Sequence, residues 1–251
     1  MEKMIALWSH PRSMSTATER VMRERGDLWC AHEPFMYDYY VHRKVARMPH
    51  FDVQDDHPIT YEAIRDMLLA KARQGPVFFK DMAYYVVPRI LDDPGFVDRL
   101  THVFLIRNPV ASILSYYRLD AGVTQEEVGI EAQWRLFQGL RELGAAPIVI
   151  EAEEVQEDTT GVMSALWERI GLPFRREAFE WQADVPEDWK QVGNWHGAVS
   201  ASAGIRPIDA GEAARKQREF DECVKTAPHL ADFLSHHRPF YQKLRAHALS
   251  T

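Results

Sequence analysis

A short apolar run, residues 4–8, breaks into a hydroxyl-rich turn with one arginine, then into a helix-forming segment, residues 17–25, that stops at Gly26. This order constrains the chain more than any other feature. A buried strand feeding a polar turn and a helix aims free backbone N–H groups and the positive end of a helix dipole at one point, which suits an anion. Arg12 adds a fixed positive charge there, and Ser13, Ser15 and Thr16 add hydroxyl donors. The same residues also suit plain N-capping, so the segment alone leaves both readings open. The turn lacks Gly-x-x-x-x-Gly-Lys-Ser/Thr, which argues against an ordinary ATPase or GTPase.

A second segment repeats the plan. Residues 102–106 read as a buried strand, and Arg107-Asn-Pro109 breaks it. Pro109 suits the first position of a helix over 110–118. Ser112 and Ser115 are three apart and share a face near its start. Arg107 falls at the C-terminal end of its strand, where open α/β sheets bind ligands. Two strand-to-helix anion sites in one chain predict a ligand with phosphates at two ends.

With these residues in view, the sequence resembles the sulfotransferases that use 3′-phosphoadenosine 5′-phosphosulfate (PAPS). Their first loop commonly reads Pro-Lys/Arg-Ser/Thr-Gly-Ser/Thr-Ser/Thr; here it stands as Pro11-Arg-Ser-Met-Ser-Thr16. Their second site is an Arg-x-Pro followed by a helical serine; here it is Arg107-Asn-Pro109 with Ser115. A third echo is Ile170-Gly-Leu-Pro-Phe174. The resemblance is strongest over residues 1–174 and leans toward a bacterial and plant sulfotransferase-like branch. It implies an α/β three-layer sandwich, with a mainly parallel sheet between helices, as in P-loop-like proteins. It also implies one domain over 1–251, with the core at 1–174 and a cofactor-covering loop and helices at 175–251. Arg12, Ser13, Met14, Ser15 and Thr16 would hold the 5′-phosphosulfate, and Arg107 and Ser115 the 3′-phosphate. Trp195, His196, Ser200 and Ser202, in the loop-like stretch 195–204, would cover the nucleotide; a plain surface connector is the other reading of that stretch. Met14 departs from the family pattern, standing where glycine is common.

Elsewhere, residues 28–31, 77–80 and 147–150 read as strands, and 160–170, 211–225 and 230–246 as helices. A capping-box pattern at Thr124 to Glu127 predicts a long helix through Leu140, closed by Gly144. Alternating elements of this kind favour a parallel sheet covered on both faces.

Arg12 is the expected stabiliser of leaving-group charge, and Glu33, in His32-Glu-Pro-Phe35, the expected general base. His10 and His32 are weaker base candidates. Lys80 and Asp81 suit either the acceptor site or a strand-end ion pair. No metal-ligand spacing is visible. The net charge of −7 argues against broad nucleic-acid or acidic-membrane binding, and no apolar run is long enough to span a bilayer. The two cysteines match a cytoplasmic default. The expected partner is a small-molecule acceptor hydroxyl or amine. Two rivals stay open: a phosphotransferase of related fold, and a nucleotide-binding homologue without turnover.

Overall fold

Successive residues of the first strand face opposite ways, and this builds the molecule's two cores. In the computed structural model, which describes residues 3–48, 51–87, 89–181, 184–195 and 202–249, strand β1 spans Met4–Ser9 and is buried throughout. Met4, Ala6 and Trp8 pack into one hydrophobic cluster, and Ile5 and Leu7 into another. A strand buried on both faces reads as a continuous apolar run, as this one does.

The sheet has five parallel strands in the order β2-β3-β1-β4-β5, with β2 at Trp29–His32, β3 at Val77–Met82, β4 at Leu100–Ile106 and β5 at Ile148–Glu151. On one face lie Val21 and Met22 of helix α1 (Ser15–Glu24), with a later helix over Thr159–Arg169. The other face carries the helices at Tyr61–Ala72, Ile130–Glu142, Glu212–Thr226 and His229–Arg245. The expected layered α/β architecture is the observed one.

The strand order positions the site. The chain leaves β1 toward β2 on one side and leaves β4 toward β5 on the other. The C-terminal ends of the adjacent strands β1 and β4 therefore flank a topological switch point, the place where such sheets open a ligand crevice. The loops carrying Arg12 and Arg107 follow these two strands.

One expected helix is divided. Thr124 and Glu127 do form the reciprocal box, with Thr124 N to Glu127 Oε2 at 2.9 Å and Glu127 N to Thr124 Oγ1 at 3.4 Å. They open only a single 3-10 turn, Glu126–Val128. Gly129 then turns left-handed at φ 79°, and the long helix starts at Ile130. The interruption is tertiary in origin: a Cβ on Gly129 would lie 3.1–3.3 Å from Tyr84, His10 and Pro11. Similarly, Trp195 of the expected loop ends a helical stretch, Glu187–Trp195, kinked at Val192.

Candidate active site

Helix α1 begins without a side-chain cap. Its N-cap residue is Met14, in the left-handed region at φ 69°, ψ 17°. No serine or threonine caps the helix, so the capping explanation of the hydroxyl-rich turn does not hold here. The first turn of an α-helix leaves its N–H groups without intrahelical partners, and here they follow a left-handed backbone reversal at Arg12 (φ 62°) and Met14. Left-handed backbone favours glycine, so methionine meets this requirement at a steric cost. The Ser13 hydroxyl is buried without a hydrogen-bond partner.

The two predicted anion sites form one. Arg107 donates from Nη1 to the Arg12 carbonyl at 2.9 Å, and Arg12 donates from Nε to Ser115 Oγ at 3.0 Å. His10 joins the loops from beneath: its Nε2 accepts the Arg107 backbone N–H at 3.2 Å, and its Nδ1 contacts the Pro11 carbonyl at 3.1 Å. Ser115 stands on the helix Pro109–Leu119, which starts with proline at its first position and is capped by Asn108. Ser112, the other serine on that face, is buried and turns its hydroxyl back to the Asn108 and Pro109 carbonyls.

Burial pushes the Arg12 guanidinium below the usual arginine range, and the neighbouring Arg107 adds to this; burial does the same to Arg107. Two cations held this close in a poorly solvated place favour an anion between them. The Nε of Arg107 is buried without a hydrogen-bond partner, 4.0 Å from Glu153 Oε1.

A cavity of about 440 Å³ opens on this cluster, lined by Arg12, Met14, Ser15, Thr16 and Arg107 at one end. Ser202 lines the same cavity, with Gly204, Ile205 and Arg206. His196 and Ser200 lie outside the described residues. Glu33 and the rings of Tyr40, Tyr84, Tyr85 and Tyr116 line the cavity as well.

Glu33 follows β2 and is buried, with its backbone in the left-handed region at φ 46°. Its Oε1 takes the ammonium of the fully buried Lys80, and its Oε2 takes the Tyr85 hydroxyl at 3.2 Å. Lys80 thus stands in a strand-end ion pair, with Glu33 and not Asp81 as its partner. Asp81, also buried, points elsewhere: it accepts the backbone N–H groups of Phe35 at 2.8 Å and Met82 at 3.2 Å. Both histidines near the site are neutral rings with little affinity for a proton, which makes them poor general bases. Burial lowers His10 to about 3, and burial with Lys80 nearby lowers His32 well below its ordinary value.

Lys80 and His10 are legible in the sequence without the roles they take here, as an acceptor-site or ion-pair residue and as a weaker base candidate, and Tyr85 is not singled out there. Lys80 and Asp81 at a strand's C-terminal end were a signal for the first. The neighbouring Tyr84-Tyr85 pair carried none, and His10 was legible only as a weaker base candidate, because their roles depend on which strands become neighbours.

Fold and geometry define an α/β protein whose two strand-to-helix turns meet at the switch point of a parallel sheet. A sulfotransferase domain model matches residues 2–248, and the chain belongs to that sulfotransferase family. Among curated proteins it is similar to branched-chain-amino-acid aminotransferase-like proteins 2 and 1 of Arabidopsis thaliana, 24% identical over 207 and 206 residues. The match covers 81% of this chain and 36% of each relative, so the chain spans about a third of their length. Among solved structures it is similar to the sulfotransferase domain from the curacin biosynthetic pathway, at 14% identity over 89% of this chain and 98% of that one, with a TM-score of 0.49. It is also similar to mouse sulfotransferase SULT7A1 complexed with PAP, at 11% identity over 99% and 90% of the two chains, with a TM-score of 0.47.

Among the described residues no helix is long and apolar enough to cross a membrane.

Proposed function

We propose that this chain transfers a sulfuryl group from PAPS to a hydroxyl or amine of a small-molecule acceptor. The observation that carries this reading is the convergence of Arg12 and Arg107 at one crevice, joined through the Arg12 carbonyl and Ser115. Two half-buried guanidiniums, a buried unpartnered Ser13 hydroxyl and an uncapped helix N-terminus fit a ligand with phosphates at both ends.

The residues divide the work as follows. The loop from Ser13 to Thr16 turns its N–H groups and hydroxyls to the 5′-phosphate end. Arg12 would serve the leaving-group side, where its planar, charged fork would stabilise the negative charge that grows on the leaving phosphate. Arg107 and Ser115 hold the 3′-phosphate. Ser202, which lines the cavity, covers its nucleotide side, and we extend the same role to Trp195, His196 and Ser200. When bound, PAPS supplies an activated sulfuryl group to an in-line displacement, a reaction that asks mainly for positioning and charge stabilisation. Glu33, across the cavity from the loop, takes the proton of the acceptor hydroxyl. The tyrosine-lined end around it, with Met48 and Met82, excludes water from the acceptor. The whole chain acts as one catalytic unit, with residues 1–174 as the core and 175–251 as the nucleotide cover. Its two free cysteines suit the cytoplasm.

Calorimetric titration with 3′-phosphoadenosine 5′-phosphate, without metal, beside AMP and ADP, tests the reading. Binding that depends on the 3′-phosphate supports it. A preference for ADP with magnesium would replace it with the phosphotransferase reading.

A further inference from the structure

A buried chain of polar contacts leads from helix α1 to Glu33. Glu19, fully buried on α1, accepts three hydrogen bonds from three elements. Its Oε1 takes Arg23 Nε at 2.7 Å and Trp189 Nε1 at 2.9 Å. Its Oε2 lies 2.6 Å from His32 Nδ1. A carboxylate only accepts, so this short contact puts the imidazole proton on Nδ1. The ring is neutral at rest, as burial and Lys80 require. Its Nε2 therefore carries a lone pair, and it stands 3.7 Å from Glu33 Oε1.

We propose that Glu19 is a positioning residue for Glu33, acting through His32: by holding the Nδ1–H form, it presents Glu33 with a hydrogen-bond acceptor instead of a donor. The proposal rests on Glu33 being the base. The other groups facing Glu33 act in the opposite sense. Lys80 and Tyr85 both donate to its carboxylate. In the transfer, the acceptor O–H bond breaks and its proton moves to Glu33. The freed electron pair forms the new O–S bond while the bond from sulfur to the bridging phosphate oxygen breaks, and phosphate leaves. The Glu33 O–H so formed faces the unprotonated Nε2 of His32, 3.7 Å away at rest. A hydrogen bond to the protonated form favours proton uptake. With the opposite tautomer, His32 would become a third donor and weaken the base.

Nitrogen-15 NMR of wild-type protein labelled at histidine tests the assignment without any turnover. The His32 signals are expected to show a protonated Nδ1 and a bare Nε2; the reverse overturns the proposal. Glu19→Gln frees the tautomer. It is expected to lower kcat about ten-fold, while the acceptor KM and the affinity for 3′-phosphoadenosine 5′-phosphate stay at the wild-type values. Unchanged kcat, or parallel loss of kcat and nucleotide affinity, overturns the positioning role. The two readings fail separately. A wild-type chain that bound nucleotide and transferred nothing would overturn the transferase reading, while the tautomer result would still stand or fall on its own signal.

Discussion

Arg12 Nε lies 3.0 Å from Ser115 Oγ, so the loop after β1 and the helix after β4 meet in a single hydrogen bond. Residues 103 positions apart form one binding surface. Arg12 thus has two tasks, one toward the ligand and one toward the second loop. Arg12→Ala should lower kcat/KM by ~10²–10³-fold, the usual cost of removing one preorganised oxyanion donor. Ser115→Ala should cost much less. Steady-state rates of both variants with one acceptor decide the point; equal losses would make the Arg12 effect structural.

Arg107 is expected to discriminate between nucleotides. Its guanidinium is half-buried beside Arg12 with its Nε fully buried, and it already holds the first loop through the Arg12 carbonyl at 2.9 Å. Arg107→Ala should weaken binding of 3′-phosphoadenosine 5′-phosphate by roughly ten- to a hundred-fold, the worth of about 1.5–3 kcal/mol for a charged hydrogen bond. AMP, which lacks the 3′-phosphate and senses only the loosened first loop, should lose clearly less affinity. Calorimetry with both ligands checks this, and equal losses would remove Arg107 from the 3′-phosphate.

The strands were legible because each is apolar on both faces and bounded by a turn; β1 and β4 came out within two residues of expectation. Arg12 and Arg107 were legible because both follow such strands. The pairing of Glu33 with Lys80 was only half legible, since it requires β2 and β3 to be neighbours, and no local pattern states strand order. Glu19 was invisible for a similar reason. On α1 it reads as a solvated charge, and only β2 and Trp189 packing over it make it a buried hub. The break at Gly129 was missed because the capping box is a correct local signal for a turn, and the contact that ends the turn comes from His10 and Pro11.

That contact makes Gly129 a stability test. Its φ is 79°, and an added Cβ would sit 3.1 Å from Tyr84, 3.2 Å from His10 and 3.3 Å from Pro11. Left-handed strain and crowding together should make Gly129→Ala cost about 2 kcal/mol or more. At this chain length that is roughly 4–8 °C in Tm. Because the pressure falls on His10 and Pro11, nucleotide affinity should drop too. A variant with wild-type Tm would show that the loop yields freely.

Three buried histidines set an acid limit to stability. In His10, His102 and His237 one ring nitrogen contacts a carbonyl and the other accepts an N–H, at 3.1 and 3.2 Å, 3.2 and 2.9 Å, and 2.8 and 3.3 Å respectively. Protonation would destroy the accepting role. Burial, the largest cause in each, lowers them to about 3, 4 and 4 from 6.5. Below pH 6.5 the unfolded chain binds protons that the folded chain refuses, so stability falls with pH. Their contribution is complete above pH 6.5 and is lost toward pH 4. By pH 5.5 the three together should cost on the order of 4 kcal/mol, at about 1.4 kcal/mol per unit for each. Asp81, held above its ordinary range by burial, works in the opposite sense. Histidine Cε1–H shifts should stay flat for these three rings from pH 7.5 to 5, while Tm declines. Titration of any of them near 6.5 would contradict the assignment.

The Glu33–Lys80 pair separates chemistry from folding. Lys80 is fully buried, so Glu33→Gln leaves its ammonium without a counter-charge. Breaking a buried pair in this way costs about 3–5 kcal/mol, whereas replacing both partners by neutral groups of similar size is often neutral. Glu33→Gln should therefore be both unstable and slow, with turnover down by ~10²-fold or more. The double variant Glu33→Gln/Lys80→Met should recover most of the lost Tm and the affinity for 3′-phosphoadenosine 5′-phosphate, yet stay slow. Measuring Tm, nucleotide affinity and turnover on both variants assigns the roles. Recovery of turnover along with Tm would make the pair purely structural and move the base elsewhere in the tyrosine-lined cavity.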